Sequence, residues 1–113
     1  LIVTAKELAS SIDRSSFIKA DGKNIVKLTI NEKTVDVTSN GSNGSSFEEI
    51  SVVSFEGNPF EISCSGKYLT DAIKAMSADE ITISFSGELK PLIITDANDP
   101  SITQLISPVR TYR

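Results

Sequence analysis

The sequence predicts an α+β fold made of two pseudo-symmetric β-α-β-β-β repeats, with two helices packed side by side on antiparallel sheets. Three observations predict it. Residues 4–14 and 65–75 carry one amphipathic helix pattern twice. Thr4-Ala5-Lys6-Glu7-Leu8-Ala9-Ser10-Ser11-Ile12 aligns with Ser65-Gly66-Lys67-Tyr68-Leu69-Thr70-Asp71-Ala72-Ile73 at a constant offset of 61 positions. Each copy opens on a hydroxyl residue suited to N-capping, has a lysine two places on, and sets Leu and Ile four apart. Upstream, Leu1 and Val3 correspond to Ile62 and Cys64, an alternating apolar approach to each helix. Downstream, each helix is followed by segments of strand-like alternation. A duplication this regular implies two related halves, about 1–57 and 58–113, in a single domain with one modest core.

The elements follow in order. Leu1–Val3 is a short strand. Thr4 to about Arg14 is a helix: Thr4 and Glu7 read as a T-x-x-E capping box, and Leu8, Ile12, Ala5 and Ala9 form the buried stripe. Residues 15–24 connect, with Asp21-Gly22 as a turn signal. Ile25–Ile30 and Thr34–Thr38 alternate around Asn31-Glu32-Lys33 and predict a hairpin. Ser39–Ser46 (SNGSNGSS) predicts a flexible loop, and Phe47–Phe55 the third strand of the half. After Asn58-Pro59, Phe60–Cys64 is a strand and Ser65–Met76 a helix with Leu69, Ala72, Ile73 and Met76 inward. Glu80–Phe85, Leu89–Thr95 and Ile102–Val109 complete the second half, with turns at Ser86-Gly87 and Asp96–Pro100.

Composition narrows the chemistry. Apolar residues are 39% and charged residues 23%, as in ordinary soluble domains, and no apolar run approaches a membrane span. No segment reads as a secretory leader, and the start at Leu1-Ile2-Val3 without Met reads as a piece of a longer polypeptide. One cysteine, Cys64, excludes an internal disulfide; at the core-facing phase of its strand it reads as a small buried apolar group. With no His, Ser–His and Cys–His pairs are excluded and a zinc site is disfavoured. Glu48, Glu49, Asp79, Glu80, Asp96 and Asp99 fall in turns and strand edges without dyad or metal-ligand spacing. Asp96-Ala97-Asn98-Asp99 lacks the Gly and terminal Glu of a calcium loop and reads as a solvated turn. No catalytic residue, metal or cofactor is expected.

The net charge of −4 argues against whole-surface attraction to nucleic acid. Locally, Lys6, Ser10 and Arg14 share the outer face of the first helix, and Lys67, Asp71 and Lys74 that of the second. Side by side, the helices would present Lys6, Arg14, Lys67 and Lys74 as a basic stripe. It suits sequence-independent phosphate contact, although composition alone favours a plain solvated face. No aromatic residues interleave with it for base stacking.

Ser65-Gly66-Lys67-Tyr68-Leu69-Thr70-Asp71-Ala72-Ile73-Lys74, Leu89-Lys90-Pro91-Leu92-Ile93-Ile94 and the terminal Gln104-Leu105-Ile106-Ser107-Pro108-Val109-Arg110-Thr111-Tyr112 resemble the third, C-terminal domain of the bacterial sliding clamp, the DNA polymerase III beta subunit. Ile12-Asp13-Arg14-Ser15-Ser16 with Gly22-Lys23-Asn24 is similar to the start of that domain. The resemblance covers essentially the whole chain and implies the DNA-clamp fold. It also implies a cytoplasmic, bacterial, non-catalytic processivity subunit. In such rings, two subunits of three domains encircle duplex DNA with helices lining the hole, so Lys6, Arg14, Lys67 and Lys74 would face DNA.

The resemblance further implies a groove for short linear motifs of DNA polymerase III, the clamp loader and other replication or repair proteins. Carried over residue by residue, this chain would contribute Tyr68, Leu89, Pro91, Leu105, Ile106, Ser107, Pro108, Val109 and Arg110, with Ser65 a weaker candidate. Of Leu105 and Ile106, one must face the core. A homodimer boundary would fall on Arg14, Phe17, Ile18, Glu48, Glu49 and Ile50. Phe17-Ile18, apolar in a polar connection, is either an exposed interface anchor or packing beneath the loop. The alternative is a β-rich adhesion or peptide-binding module, against which two helices, one Cys and no Trp stand.

Overall fold

Among the described residues the chain runs twice through one order of elements. The first run is β1 (Ile2–Thr4), α1 (Ala5–Arg14), β2 (Ile25–Ile30), β3 (Thr34–Gly41) and β4 (Gly44–Ser51). The second is β5 (Phe60–Ser65), α2 (Gly66–Met76), β6 (Glu80–Ser84), β7 (Leu92–Asp96) and β8 (Asp99–Ile106). The computed structural model describes residues 1–15, 18, 24–41, 44–87 and 90–108, with Pro100 described by its backbone alone.

The strands form two four-stranded antiparallel sheets, ordered β4-β3-β2-β5 and β1-β6-β7-β8. Each half therefore donates its first strand to the sheet of the other. β1 pairs with β6 through Val3 opposite Ile81, and β5 pairs with β2 through Cys64 opposite Val26. Beyond β4 the chain crosses to the second sheet, where the Ile2 N–H donates to Ser54 O (2.7 Å) and the Val53 N–H to Ile2 O (2.9 Å).

The inner faces follow from alternation. Val26, Leu28 and Ile30 of β2, Val35 and Val37 of β3, and Ile62 and Cys64 of β5 turn inward. Val3, Ile81, Ile83, Leu92, Ile94 and Ile106 do so in the second sheet. Leu8 and Ile12 of α1, with Leu69, Ile73 and Met76 of α2, complete one continuous core. The helical stripes are as the periodicity predicts, and the helices pack together.

Each helix starts differently. Ser65 caps α2, its side chain accepting from the Tyr68 N–H at 3.4 Å. Thr4 stands at the N-cap of α1 in extended backbone, but its side chain makes no capping bond, contrary to the T-x-x-E expectation. The strand exchange itself is alike in the two copies: the Ala5 N–H donates across to Asp79 O at 2.9 Å, as the Gly66 N–H does to Asn24 O.

The connection after α1 contributes Asn24, which is buried. Its Nδ2 donates to Ser15 O (2.8 Å), Ile18 O (2.9 Å) and Ser39 Oγ (3.2 Å), while its backbone carbonyl accepts from the Gly66 N–H (2.9 Å). Ser39 in turn donates to Ile25 O at 2.9 Å. These bonds correct the loop expected over 39–46. β3 continues to Gly41 and β4 starts at Gly44, with Ser39 opposite Ser46 and Asn40 opposite Ser45. Small polar side chains here extend a backbone ladder already in register from Val35 and Val37. Gly44 takes φ 141°, which favours glycine.

Candidate partner groove and nucleic-acid face

A cleft of about 450 Å³ opens between α2 and the edge strand β8. Tyr68, Asp71, Ala72 and Ala75 form one wall, and Gln104, Leu105, Ile106 and Ser107 the other. Helical spacing explains the first wall, because positions 68, 71, 72 and 75 lie on one face. Strand register explains the second. Ile106 stands opposite the buried Leu92, and Leu105 opposite the exposed Ile93, so the neighbours point to opposite faces. Ile106 is 7% exposed and Leu105 64%. Leu105 is thus the side chain a partner can reach, and Ile106 belongs to the core.

Tyr68 is 66% exposed, and its backbone N–H is the one that the Ser65 cap accepts at the start of α2. Pro91 and Ser107 are exposed and Pro108 is half-buried. Leu89, Val109 and Arg110 lie outside the described residues. Sequence reading missed Asp71, Ala72, Ala75 and Gln104 as lining residues. The signal was present, since the first three fall at i+3, i+4 and i+7 from Tyr68, and Gln104 shares the strand phase of Ile106.

The four expected DNA-facing cations all lie exposed on the helices. Three are engaged by acids. Arg14 meets Glu48 Oε1 through Nη2 (2.7 Å) and Nε (2.8 Å), Lys67 meets Asp71 Oδ2 at 3.5 Å, and Lys74 meets Asp13 Oδ2 at 3.1 Å. Asp13 and Lys74 are equivalent positions of the two repeats, so this pair ties the helices across the pseudo-symmetry. The pairs temper the positive potential of the stripe. Exposed pairs of this kind are worth at most about 1 kcal/mol, so phosphates can compete for the cations.

Along the expected subunit boundary, β4 forms the free edge of the first sheet. Arg14 and Glu48 are brought together by their ion pair, and Glu49 is exposed. Ile18 and Ile50 are not surface anchors: Ile18 is 1% exposed, and Ile50 turns inward opposite Val35. Packing beneath the connection is the outcome for Ile18, and strand phase decides Ile50. Phe17 lies outside the described residues. The apolar side chain that β4 does expose is Phe47, at 62%.

Elsewhere the polar groups serve the fold. Asp96 Oδ1 accepts from the Asn98 N–H (2.9 Å), and Asp99 Oδ1 from the Ser101 N–H (3.2 Å) and Oγ (2.6 Å), as hairpin-forming turns do. Cys64 is buried, and desolvation pushes its thiol up to about 11. No described helix is long and apolar enough to cross a membrane.

A family model of the DNA polymerase III beta subunit, C-terminal domain, matches residues 1–110. The chain belongs to this family. It is 40% identical to the beta sliding clamp of Bacillus subtilis over 115 residues, covering 99% of this chain and 30% of that protein. Against the Staphylococcus aureus beta sliding clamp it is 38% identical over 108 residues, covering 94% of this chain and 29% of that one. The crystal structure of the Bacillus subtilis sliding clamp superposes with a TM-score of 0.91 at 40% identity, over 99% of this chain and 30% of that one. The beta subunit of Streptococcus pyogenes DNA polymerase gives 0.91 at 28% identity, over 98% and 31%. The fold is therefore that of the sliding clamp, with its two helices and two antiparallel sheets. The chain spans about 30% of the length of the curated relatives it matches. The likeness sets aside the β-rich adhesion alternative.

Proposed function

We propose that residues 1–113 form the C-terminal domain, with repeats 1–57 and 58–113, of a bacterial cytoplasmic sliding clamp. The ring encircles duplex DNA and tethers DNA polymerase III and other replication or repair proteins for processive synthesis. The observation that carries this reading is the whole-chain likeness to beta sliding clamps. Its role is mechanical, not catalytic. Lys6, Arg14, Lys67 and Lys74 face the duplex, and their exchangeable ion pairs suit sliding, because diffuse phosphate attraction makes no sequence-dependent traps. At the subunit boundary, the β4 edge presents Phe47 and Glu49 beside the Arg14–Glu48 pair to a second clamp subunit.

The cleft between α2 and β8 receives the apolar anchors of a short linear motif. Tyr68 and Leu105 supply the reachable contact area, with Pro91, Ser107, Pro108, Val109, Arg110 and Leu89 extending it. Clamp loader and polymerase motifs compete for this one groove. A peptide of the Gln-Leu-x-Leu-Phe type titrated into the labelled chain will move the amide signals of Tyr68, Ala72 and Leu105–Ser107, even at millimolar affinity. Shifts confined to 44–47, or none at all, would refute the groove.

A further inference from the structure

We propose that the outer face of the first sheet holds an arginine of a partner protein, its guanidinium stacked on Phe47 and forked onto Asp36. The partner lies across the sheet rather than adding a strand to its edge. The site is separate from the cleft between α2 and β8 and does not depend on it.

A cavity of about 530 Å³ opens on that face. Lys27 and Thr29 of β2, Asp36, Thr38 and Asn40 of β3 and Phe47 of β4 line it. Register sets the geometry. Phe47 stands opposite Thr38 and Asp36 opposite Glu49, so Phe47 and Asp36 are diagonal neighbours on one face, with Glu49 beside both. Two carboxylates directly opposite each other repel, and among the described residues neither has an ion-pair partner. Asp36 Oδ1 is shielded from solvent yet accepts no hydrogen bond, a costly state for a charged acceptor. Rotation about χ2, which is soft in aspartate, turns that oxygen to an incoming donor. Lys27, the one cation among the described lining residues, is drawn toward β5 by Glu61 Oε2 at 3.2 Å, and the Thr38 hydroxyl donates to Lys27 O at 3.4 Å. Neither serves Asp36. Asp36, Glu49 and Glu61 outnumber Lys27 on this face, which attracts cations and repels phosphates. Arginine suits the site better than lysine, because its plane stacks on the exposed Phe47 ring while its N–H groups pair with both carboxylate oxygens. Phe47 and Glu49 also border the proposed subunit boundary, whereas Asp36, one strand further in, belongs to this cavity alone.

The test titrates capped Ala-Arg-Ala, Ala-Lys-Ala and Ala-citrulline-Ala peptides into the labelled whole chain and follows its amide signals. The arginine peptide should shift Thr29, Asp36, Thr38 and Phe47 saturably at millimolar affinity, binding about fivefold tighter than the lysine peptide. The neutral citrulline peptide should leave those signals in place. Asp36→Asn should weaken arginine binding by about fivefold or more, while the rest of its amide spectrum stays that of the folded chain. Phe47→Leu should bring the arginine and lysine peptides to equal affinity. Arginine binding that survives Asp36→Asn, equal binding of the two cationic peptides by the wild type, or no shift at these residues overturns the proposal. Self-association of the wild type that Asp36→Asn abolishes, read by sedimentation, overturns it as well, because the occupant is then a second copy of the chain.

Discussion

Replacing Gly66 by alanine probes a place where the two repeats are not interchangeable. The equivalent residue in the first repeat is Ala5, buried and accommodated at the start of α1. At Gly66 an added Cβ would collide with Asn24 Oδ1 and sit 3.2 Å from both Asn24 Cγ and Ile12 Cγ2. The Asn24 amide is not a flexible end that can swing away, because its Nδ2 makes three hydrogen bonds in a buried setting. Displacing it removes bonds worth about 1 kcal/mol each. The helix-propensity gain of alanine over glycine returns at most about 1 kcal/mol. Gly66→Ala should therefore destabilise the chain by about 2 kcal/mol, lowering the melting temperature by about 8 °C at this size. Urea unfolding followed by circular dichroism measures the change. In the Asn24→Ala background the obstacle is gone, so adding Gly66→Ala should cost nothing further or stabilise slightly. A Gly66→Ala single variant as stable as the wild type, or equal costs in both backgrounds, would refute the steric account.

Leu105→Ala should leave stability within about 0.5 kcal/mol of the wild type yet abolish peptide-induced amide shifts, whereas Ile106→Ala should cost about 2–4 kcal/mol as a core truncation; unfolding curves and peptide titration separate the two. Cys64 should resist thiol reagents in the folded chain and react only on unfolding. Because burial raises its thiol to about 11 from an ordinary 9.0, its linked stability is intact below pH 9 and is lost as pH climbs from 9 towards 11. That loss should reach roughly 2–3 kcal/mol, measured by unfolding at stepped pH against Cys64→Ala, which should lack it. In the full ring-forming polypeptide, Phe47→Asp should weaken subunit association while leaving the unfolding midpoint of the isolated chain unchanged; sedimentation at decreasing concentration reads the first effect.

Periodicity carried most of the fold. The helices at 5–14 and 66–76 and their buried stripes follow from apolar spacing alone, and the β2–β3 hairpin from alternation. What alternation could not supply is partner choice. That Val3 pairs with Ile81 and Cys64 with Val26 depends on contacts between distant halves, which no local window contains. The segment 39–46 misled for a related reason: its composition says loop, but its neighbours had already fixed the ladder it extends. At the candidate site, the family pattern indicated Tyr68 and Leu105, while strand phase was needed to assign Leu105 outward and Ile106 inward. Ile18 and Phe47 show the converse limit. A greasy residue in a polar connection can be buried, and one on an edge strand can be left outside, because tertiary cover rather than sequence neighbourhood decides.

The crossed-over first strands bear on how such a molecule assembles and where it came from. Neither half owns a finished four-stranded layer, so a chain severed at Asn58-Pro59 would yield two peptides that stay unstructured apart and reconstitute when mixed. The same interdigitation is what two identical short polypeptides would build by mutual embrace. Fusing their ends would then freeze a symmetric pair into one covalent unit, free thereafter to diverge, as Asn24 beside Gly66 and Asp79 beside Ala5 already record.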